Sequence, residues 1–265
     1  MLKLVRNELQ KIFAKKSSWI LMIILLGIIT LACWVVAAVT PKADGVTLFS
    51  VTTSFNSFVT IFAVVIAAIS LTEEFSKNTI KILLTRPYSR SQVLFSKLVA
   101  IMIYTLCLSL VTYAGSILIA MLFGNANGLT TVSKDWQNLT PLLSGFYGTL
   151  NNYVVTLFYI GLVFIFAGGF RSLGLAVTMG VGLIWLGSMA SSLLSGFIIW
   201  KKLFWLKWNP LTQLYLNYRF GSGVIHIEDK LDVGYWPNLI AVLVYTLIFY
   251  LIANWIFSKR DISYS

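Results

Sequence analysis

Residues 98–133, LVAIMIYTLCLSLVTYAGSILIAMLFGNANGLTTVS, run without one Asp, Glu, Lys, Arg or His. A helix rises about 1.5 Å per residue, so roughly 20 apolar residues cross the ~30 Å hydrocarbon core of a bilayer. This run is long enough for one crossing and not comfortably long enough for two with a turn between them. Five further charge-free windows, 17–41, 45–72, 136–170, 172–200 and 233–258, have the same character. They predict spans near Trp19–Val39, Phe55–Leu71, Leu98–Phe123, Tyr153–Phe170, Leu173–Ile199 and Leu239–Phe257. The expected fold class is an all-α integral membrane protein with six transmembrane helices, a single domain over 1–265. A membrane β-barrel would show short alternating segments instead of long unbroken runs.

The composition agrees with this reading. Hydrophobic residues make up 58% of the chain and charged residues 11%, against about 25% charged in a soluble protein. A water-soluble globule could not hide that much apolar surface. The formal charge of +11 needs an anionic partner, and lipid headgroups or an acidic protein surface serve as well as nucleic acid. With so much apolar sequence the lipid bilayer is the expected partner, and nucleic acid is not. The first span exceeds the 7–15-residue apolar core of a signal peptide and lacks its cleavage site. Cys33 and Cys107 fall inside predicted spans and read as apolar fillers.

Orientation follows from the Lys and Arg bias of short loops. With the N-terminus in the cytoplasm, the inner segments hold thirteen basic residues and the outer ones seven. Net of acids that is +9 inside against +2 outside. Both termini are therefore expected in the cytoplasm, with the chain in a cell membrane.

No ionisable Asp, Glu, Lys, Arg or His lies within the six predicted cores. A charge at mid-bilayer costs about 2.5–3.5 kcal/mol on insertion scales, and is kept where proton or ion coupling needs it. Its absence weighs against a proton-coupled transporter, a voltage sensor and an intramembrane enzyme. A Gly-x-x-x-x-Gly-Lys-Ser/Thr loop is also missing, so nothing here cradles nucleotide phosphates. The chain is expected to be no enzyme and to carry no cofactor of its own. If it moves a solute uphill, another polypeptide supplies the energy.

Residues 1–16 place Leu2, Val5, Leu9, Ile12 and Phe13 along one helical stripe, with Lys3, Arg6, Lys11 and Lys15 towards the other side. This pattern suits an amphipathic helix in the inner headgroup layer; a plain topology signal would look similar.

Residues 73–97, EEFSKNTIKILLTRPYSRSQVLFSK, carry the most information. Glu73 and Glu74 are expected to open a short helix, where its dipole favours negative charge, and can pair with Lys77. Ile80, Leu83 and Leu84 form an apolar patch. Pro87 ends that helix by forcing Arg86 out of the helical region, and Ser89 or Ser91 can cap the next. A short helix tipped with Arg86 and Arg90 would suit docking onto a cytosolic partner; a solvated basic loop is the other reading.

This segment resembles the permease subunits of bacterial ABC exporters of the type-2 class, including those of antimicrobial-peptide immunity and export. There a Glu at the end of span two precedes x-x-T-I-x-x-L-L-x-x-P-I-S-R-x-x-[IVL]-x-x-x-K. The pattern falls on Glu73 or Glu74, Thr79, Ile80, Leu83, Leu84, Pro87, Ser89, Arg90 and Lys97, with Tyr88 where Ile is commoner. The resemblance implies a coupling helix seated on a separate ABC ATPase subunit, present in two copies, which binds the ATP and Mg²⁺. It implies a smaller contact at Arg171, although a topology charge explains that residue equally well.

Span two carries Phe55, Phe58 and Phe62 beside Asn56, Ser57 and Thr60. Span five is rich in small residues, including Gly180, Ser188 and Ser192. The resemblance implies that these faces line a pathway at a two-fold interface with a second permease copy or a related permease; ordinary close helix packing accounts for them too. Residues 200–236, with Trp200, Trp205, Trp208 and Trp236, read as one or two short external helices or a re-entrant piece, broken at Asn209–Pro210, that caps the outer end of the pathway. His226, Glu228, Asp229 and Asp232 are too weak a set for a metal site.

The expected function is thus the transmembrane permease of an ATP-driven exporter for a lipophilic or amphipathic cargo (peptide, lipid or drug). A non-transporting immunity, sensor or assembly partner and an autonomous channel are the competing readings.

Overall fold

The computed structural model describes residues 1–40, 43–76, 89–124, 128–132, 138–167, 172–220 and 231–259. They are almost wholly helical. In chain order the helices are α1 (Leu2–Ala14), α2 (Lys16–Val39), α3 (Gly45–Ser54), α4 (Asn56–Ser76), α5 (Arg90–Phe123), α6 (Pro141–Ala167), α7 (Leu173–Lys201) and α8 (Tyr235–Lys259). Two 3-10 helices, η1 (Phe204–Trp208) and η2 (Thr212–Tyr218), lie between α7 and α8. Six units are long and apolar enough to cross a membrane: α2, the α3–α4 pair over Gly45–Thr72, α5, α6, α7 and α8. The chain is built as a multi-pass membrane protein.

The second, third and fourth spans start earlier than expected, the third at Arg90 instead of Leu98. The second span begins at Gly45, not Phe55, and the fourth at Pro141, not Tyr153. The addition to the second span is rich in Ser and Thr and that to the fourth holds Ser144, Thr149, Asn151 and Asn152, which lower the apolar signal but keep their polar groups bonded. Thr52 and Thr53 hydroxyls donate to the Phe49 carbonyl at 2.8 and 2.9 Å, and Ser54 donates to Ser50 at 2.8 Å. Such back-bonding competes with the main-chain ladder and bends helices. The hitch falls at Phe55, whose N–H reaches the carbonyls of both Thr52 and Thr53. Asp44 caps α3 through the Thr47 amide at 2.9 Å, and the Thr47 hydroxyl and amide hold its carboxyl below the usual range.

α5 starts at Arg90, ahead of the apolar run. Ser89 and Gln92 form a reciprocal capping box, which satisfies two otherwise orphaned N–H donors. Glu73 and Glu74 do not open a separate helix. They lie in the last turn of α4, which runs unbroken to Ser76 because no Pro or Gly interrupts it.

α4 and α6 form the buried centre, while α2, α7 and α8 expose most of their length. Across the centre Thr60 meets Thr156 at 2.8 Å and Asn152 at 3.3 Å. Asn152 also donates to the Asn56 carbonyl at 2.9 Å. Phe49, Phe158 and Phe164 fill the apolar remainder. Leu31, Leu193 and Leu251 point outward, as lipid-facing residues do.

Candidate functional site

A groove of about 730 Å³ opens between α4, α6, α7 and η2. Phe58 and Ser57 line it from α4, Tyr159 from α6, Ser188 and Ser192 from α7, and Tyr215 and Tyr218 from η2. Phe55 stacks on Phe58 at 5.7 Å and Phe62 meets it edge-on at 6.5 Å. Among the described residues, no Asp, Glu, Lys, Arg or His lines the groove. Its walls are aromatic and aliphatic, with scattered hydroxyls. Such a surface matches uncharged or amphipathic molecules in polarity.

Of the predicted pathway residues, Phe58, Ser188 and Ser192 therefore share one groove, with Phe55 and Phe62 beside the first. Asn56 and Gly180 are elsewhere. Asn56 donates to the Thr149 hydroxyl at 3.1 Å, joining α4 to α6. Gly180 faces inward, where an added Cβ would come 2.8 Å from Val64. The small residues of α7 thus split between two faces. Ala176, Gly180, Ser191 and Ser195 are buried within the chain, whereas Ser188, Ser192 and Gly196 are exposed.

The other end holds the residues flanking the 73–97 segment. Lys77, Thr79, Ile80, Leu83, Leu84, Arg86 and Pro87 lie outside the described residues, as does Arg171. Arg90 opens α5 and donates from Nη1 to the Ser258 carbonyl at 3.3 Å, tying the start of α5 to the end of α8.

Lys97 stands in the exporter pattern, but its burial and its partner are what sequence reasoning missed. It was counted among the inner basic charges, yet it is 4% exposed. Its ammonium donates to Glu8 Oε2 at 2.7 Å and to the Ser70 carbonyl at 3.3 Å. The other Glu8 oxygen accepts from Lys11 at 2.5 Å. Burial pushes the Glu8 carboxyl up, but the Lys97 and Lys11 ammonium groups outweigh it and hold it below its usual range.

This pairing rotates α1 relative to the expected stripe. Leu4, Glu8 and Ile12, one turn apart, face α5; Val5, Leu9 and Phe13 are half-buried, and Leu2 is exposed. The available signal was Glu8 itself, the only acidic side chain in residues 1–40. Where α1 ends, the Ser18 hydroxyl and the Trp19 indole N–H donate to the carbonyls of Ile12 and Phe13, each at 2.7 Å. They satisfy acceptors that a helix C-terminus leaves open. Tyr104 of α5 donates to the Ser18 carbonyl at 3.1 Å, so the α1–α2 elbow is fixed to α5 as well.

Beyond α7 the chain makes the expected short helices, η1 and η2, with the break held by Asn209 Oδ1 accepting from the Leu211 amide at 2.9 Å. Arg219 pairs with Asp232, which also accepts from the Gly234 amide at 2.8 Å. Burial raises the Asp232 carboxyl, but these hydrogen bonds and the Arg219 charge leave it below its usual range. Asn151 of α6 anchors the cap, donating to the Leu216 carbonyl at 3.1 Å and accepting from Tyr235 at 3.2 Å. Trp200, Trp205 and Trp236 are exposed around it. His226, Glu228 and Asp229 lie outside the described residues. Among those described, no three His, Cys, Asp or Glu side chains gather as metal ligands do.

Residues 34–263 match a family described as protein of unknown function (DUF2705). The chain is 30% identical over 233 residues to the uncharacterized protein YhcI of Bacillus subtilis (strain 168), covering 84% of this chain and 72% of that one. It is 27% identical over 230 residues to the uncharacterized membrane protein YdbK of the same organism, covering 80% and 81% respectively.

Proposed function

We propose, from the premise that the chain belongs to the DUF2705 family, that it is the membrane-embedded permease subunit of an ATP-driven exporter. It works without catalysis of its own. Two permease halves, two copies of this chain or one with a relative, enclose the uncharged groove. Two copies of a separate ABC ATPase bind ATP and Mg²⁺ and dock on the stretch from Glu73 to Arg90 from the cytoplasm, the side that the excess of basic residues assigns to both termini. Closure of the ATPase pair displaces that segment and switches the groove from inward- to outward-facing. Nucleotide drives the switch only by binding the two states with different affinity.

The observation that carries this reading is the 73–97 sequence itself, which joins α4 to α5 and matches the exporter pattern at nine positions. The groove supports it by its chemistry. With aromatic and hydroxyl walls and no charged side chain among the described residues, it suits a lipophilic or amphipathic cargo.

Affinity purification of the solubilised chain from its native cell tests the reading. An ATPase with a phosphate-binding loop is expected to co-purify and to hydrolyse ATP faster with the permease present. Charge reversal at Arg86 and Arg90 is expected to abolish that association while membrane insertion stays normal. Recovery of the chain with no ATPase would favour a non-transporting immunity, sensor or assembly role.

A further inference from the structure

A helix that merely floats in the headgroup layer turns its apolar stripe to lipid and leaves its charges in water. α1 does otherwise. It turns its one carboxylate inward, where Glu8 is 5% exposed and meets an equally buried Lys97. Taking two charges out of water is expensive, and hydrophobic side chains of similar volume commonly pack there at no loss of stability. The pair therefore calls for a role other than holding α1 down.

Its position suggests which. Lys97 lies in the second turn of α5, some 12 Å along the helix from the cap at Ser89. Ser70, whose carbonyl takes the same ammonium, lies some 9 Å back from the last residue of α4. One lysine thus touches both stems of the 73–97 segment and, through Glu8, the N-terminal helix. The path continues through Tyr104 and Ser18 into the start of α2.

We propose that Lys97 is a positioning residue that locks α1 to both stems of that segment, making α1 the lever that carries its displacement into the first span. The inference rests on the permease reading above. Glu8 sets the lever's angle, and Lys11 holds the second carboxylate oxygen. A chain with this lock broken still recruits the ATPase, because the docking charges Arg86 and Arg90 are unchanged, but ATP hydrolysis is no longer converted into transport.

The test uses the full permease with its co-purifying ATPase in proteoliposomes, comparing wild type, Lys97→Met, Lys97→Arg and the double variant Glu8→Gln/Lys97→Met. A spin label at exposed Gln10 reports whether α1 is docked. Lys97→Met is expected to mobilise the label and to lower solute moved per ATP hydrolysed by about ten-fold or more, as befits loss of one half of a buried pair. ATPase binding and hydrolysis stay near wild type, and Lys97→Arg recovers much of the coupling. The double variant removes both members of the buried pair, so it regains thermal stability yet stays uncoupled. A double variant that regains transport per ATP together with stability would show a merely structural pair and overturn the lever. So would a Lys97→Met chain that couples normally. A wild type that binds no ATPase removes the permease reading itself, and the lever with it.

Discussion

Gly180 of α7 lies against Val64 of α4 so closely that a Cβ on the glycine would sit 2.8 Å from the valine Cγ1. Both atoms belong to backbone-proximal groups with little room to move, and Val163 closes the other side at 3.4 Å. Gly180→Leu is expected to force α7 off the bundle and to cost about 1–3 kcal/mol. Gly182 has open space around it, so Gly182→Ala is expected to leave stability unchanged. Thermal unfolding of the two variants in detergent checks both.

Asn152 joins α4 to α6 through the Asn56 carbonyl and the Thr60 hydroxyl. Hydrogen bonds between membrane helices are worth about 0.6 kcal/mol each and at most about 1.7. Asn152→Leu is therefore expected to destabilise the chain by about 1–2 kcal/mol, measured by the same unfolding curves, while membrane insertion continues.

The docking of α1 is expected to depend on acid. The Glu8 carboxyl is held below its ordinary value of 4.5 by Lys97 from α5 and Lys11 from its own helix. A lowered carboxyl contributes stability that is complete above the ordinary value and is lost as pH falls through the folded one. A spin label at Gln10 is expected to stay immobile from neutral pH to near 4.5 and to loosen below it. In Glu8→Gln the label is already looser at neutral pH and shows no such transition.

Ser192 lines the groove from an exposed position on α7. Ser192→Trp is expected to fill part of its ~730 Å³ and reduce export by an order of magnitude or more, while the ATPase still co-purifies. Unchanged export would place the cargo path elsewhere.

The six crossings were legible because charge is costly in hydrocarbon, so charge-free windows mark them. The window 45–72 coincides with the span Gly45–Thr72, whereas apolar density alone put its start at Phe55. Density failed where Thr52, Thr53 and Ser54 pay their own hydrogen bonds along the helix. The Ser89 cap and the break at Asn209–Pro210 were readable from local chemistry. The split of α7 into two faces was not. Gly180 and Ser188 are both small, and eight residues carry them only some 80° apart around the helix; what neighbours each depends on how α4 and α6 pack. The Glu8–Lys97 pair spans 89 positions, beyond any pattern of period 3.6.

The most direct measurement reconstitutes the purified chain into liposomes with and without its co-purifying ATPase, and follows a lipophilic cargo. Movement against a gradient is predicted only when ATPase, ATP and Mg²⁺ are all present, and it vanishes on charge reversal at Arg86 and Arg90. Uphill movement by the chain alone, or steady conduction without any partner, would contradict the account.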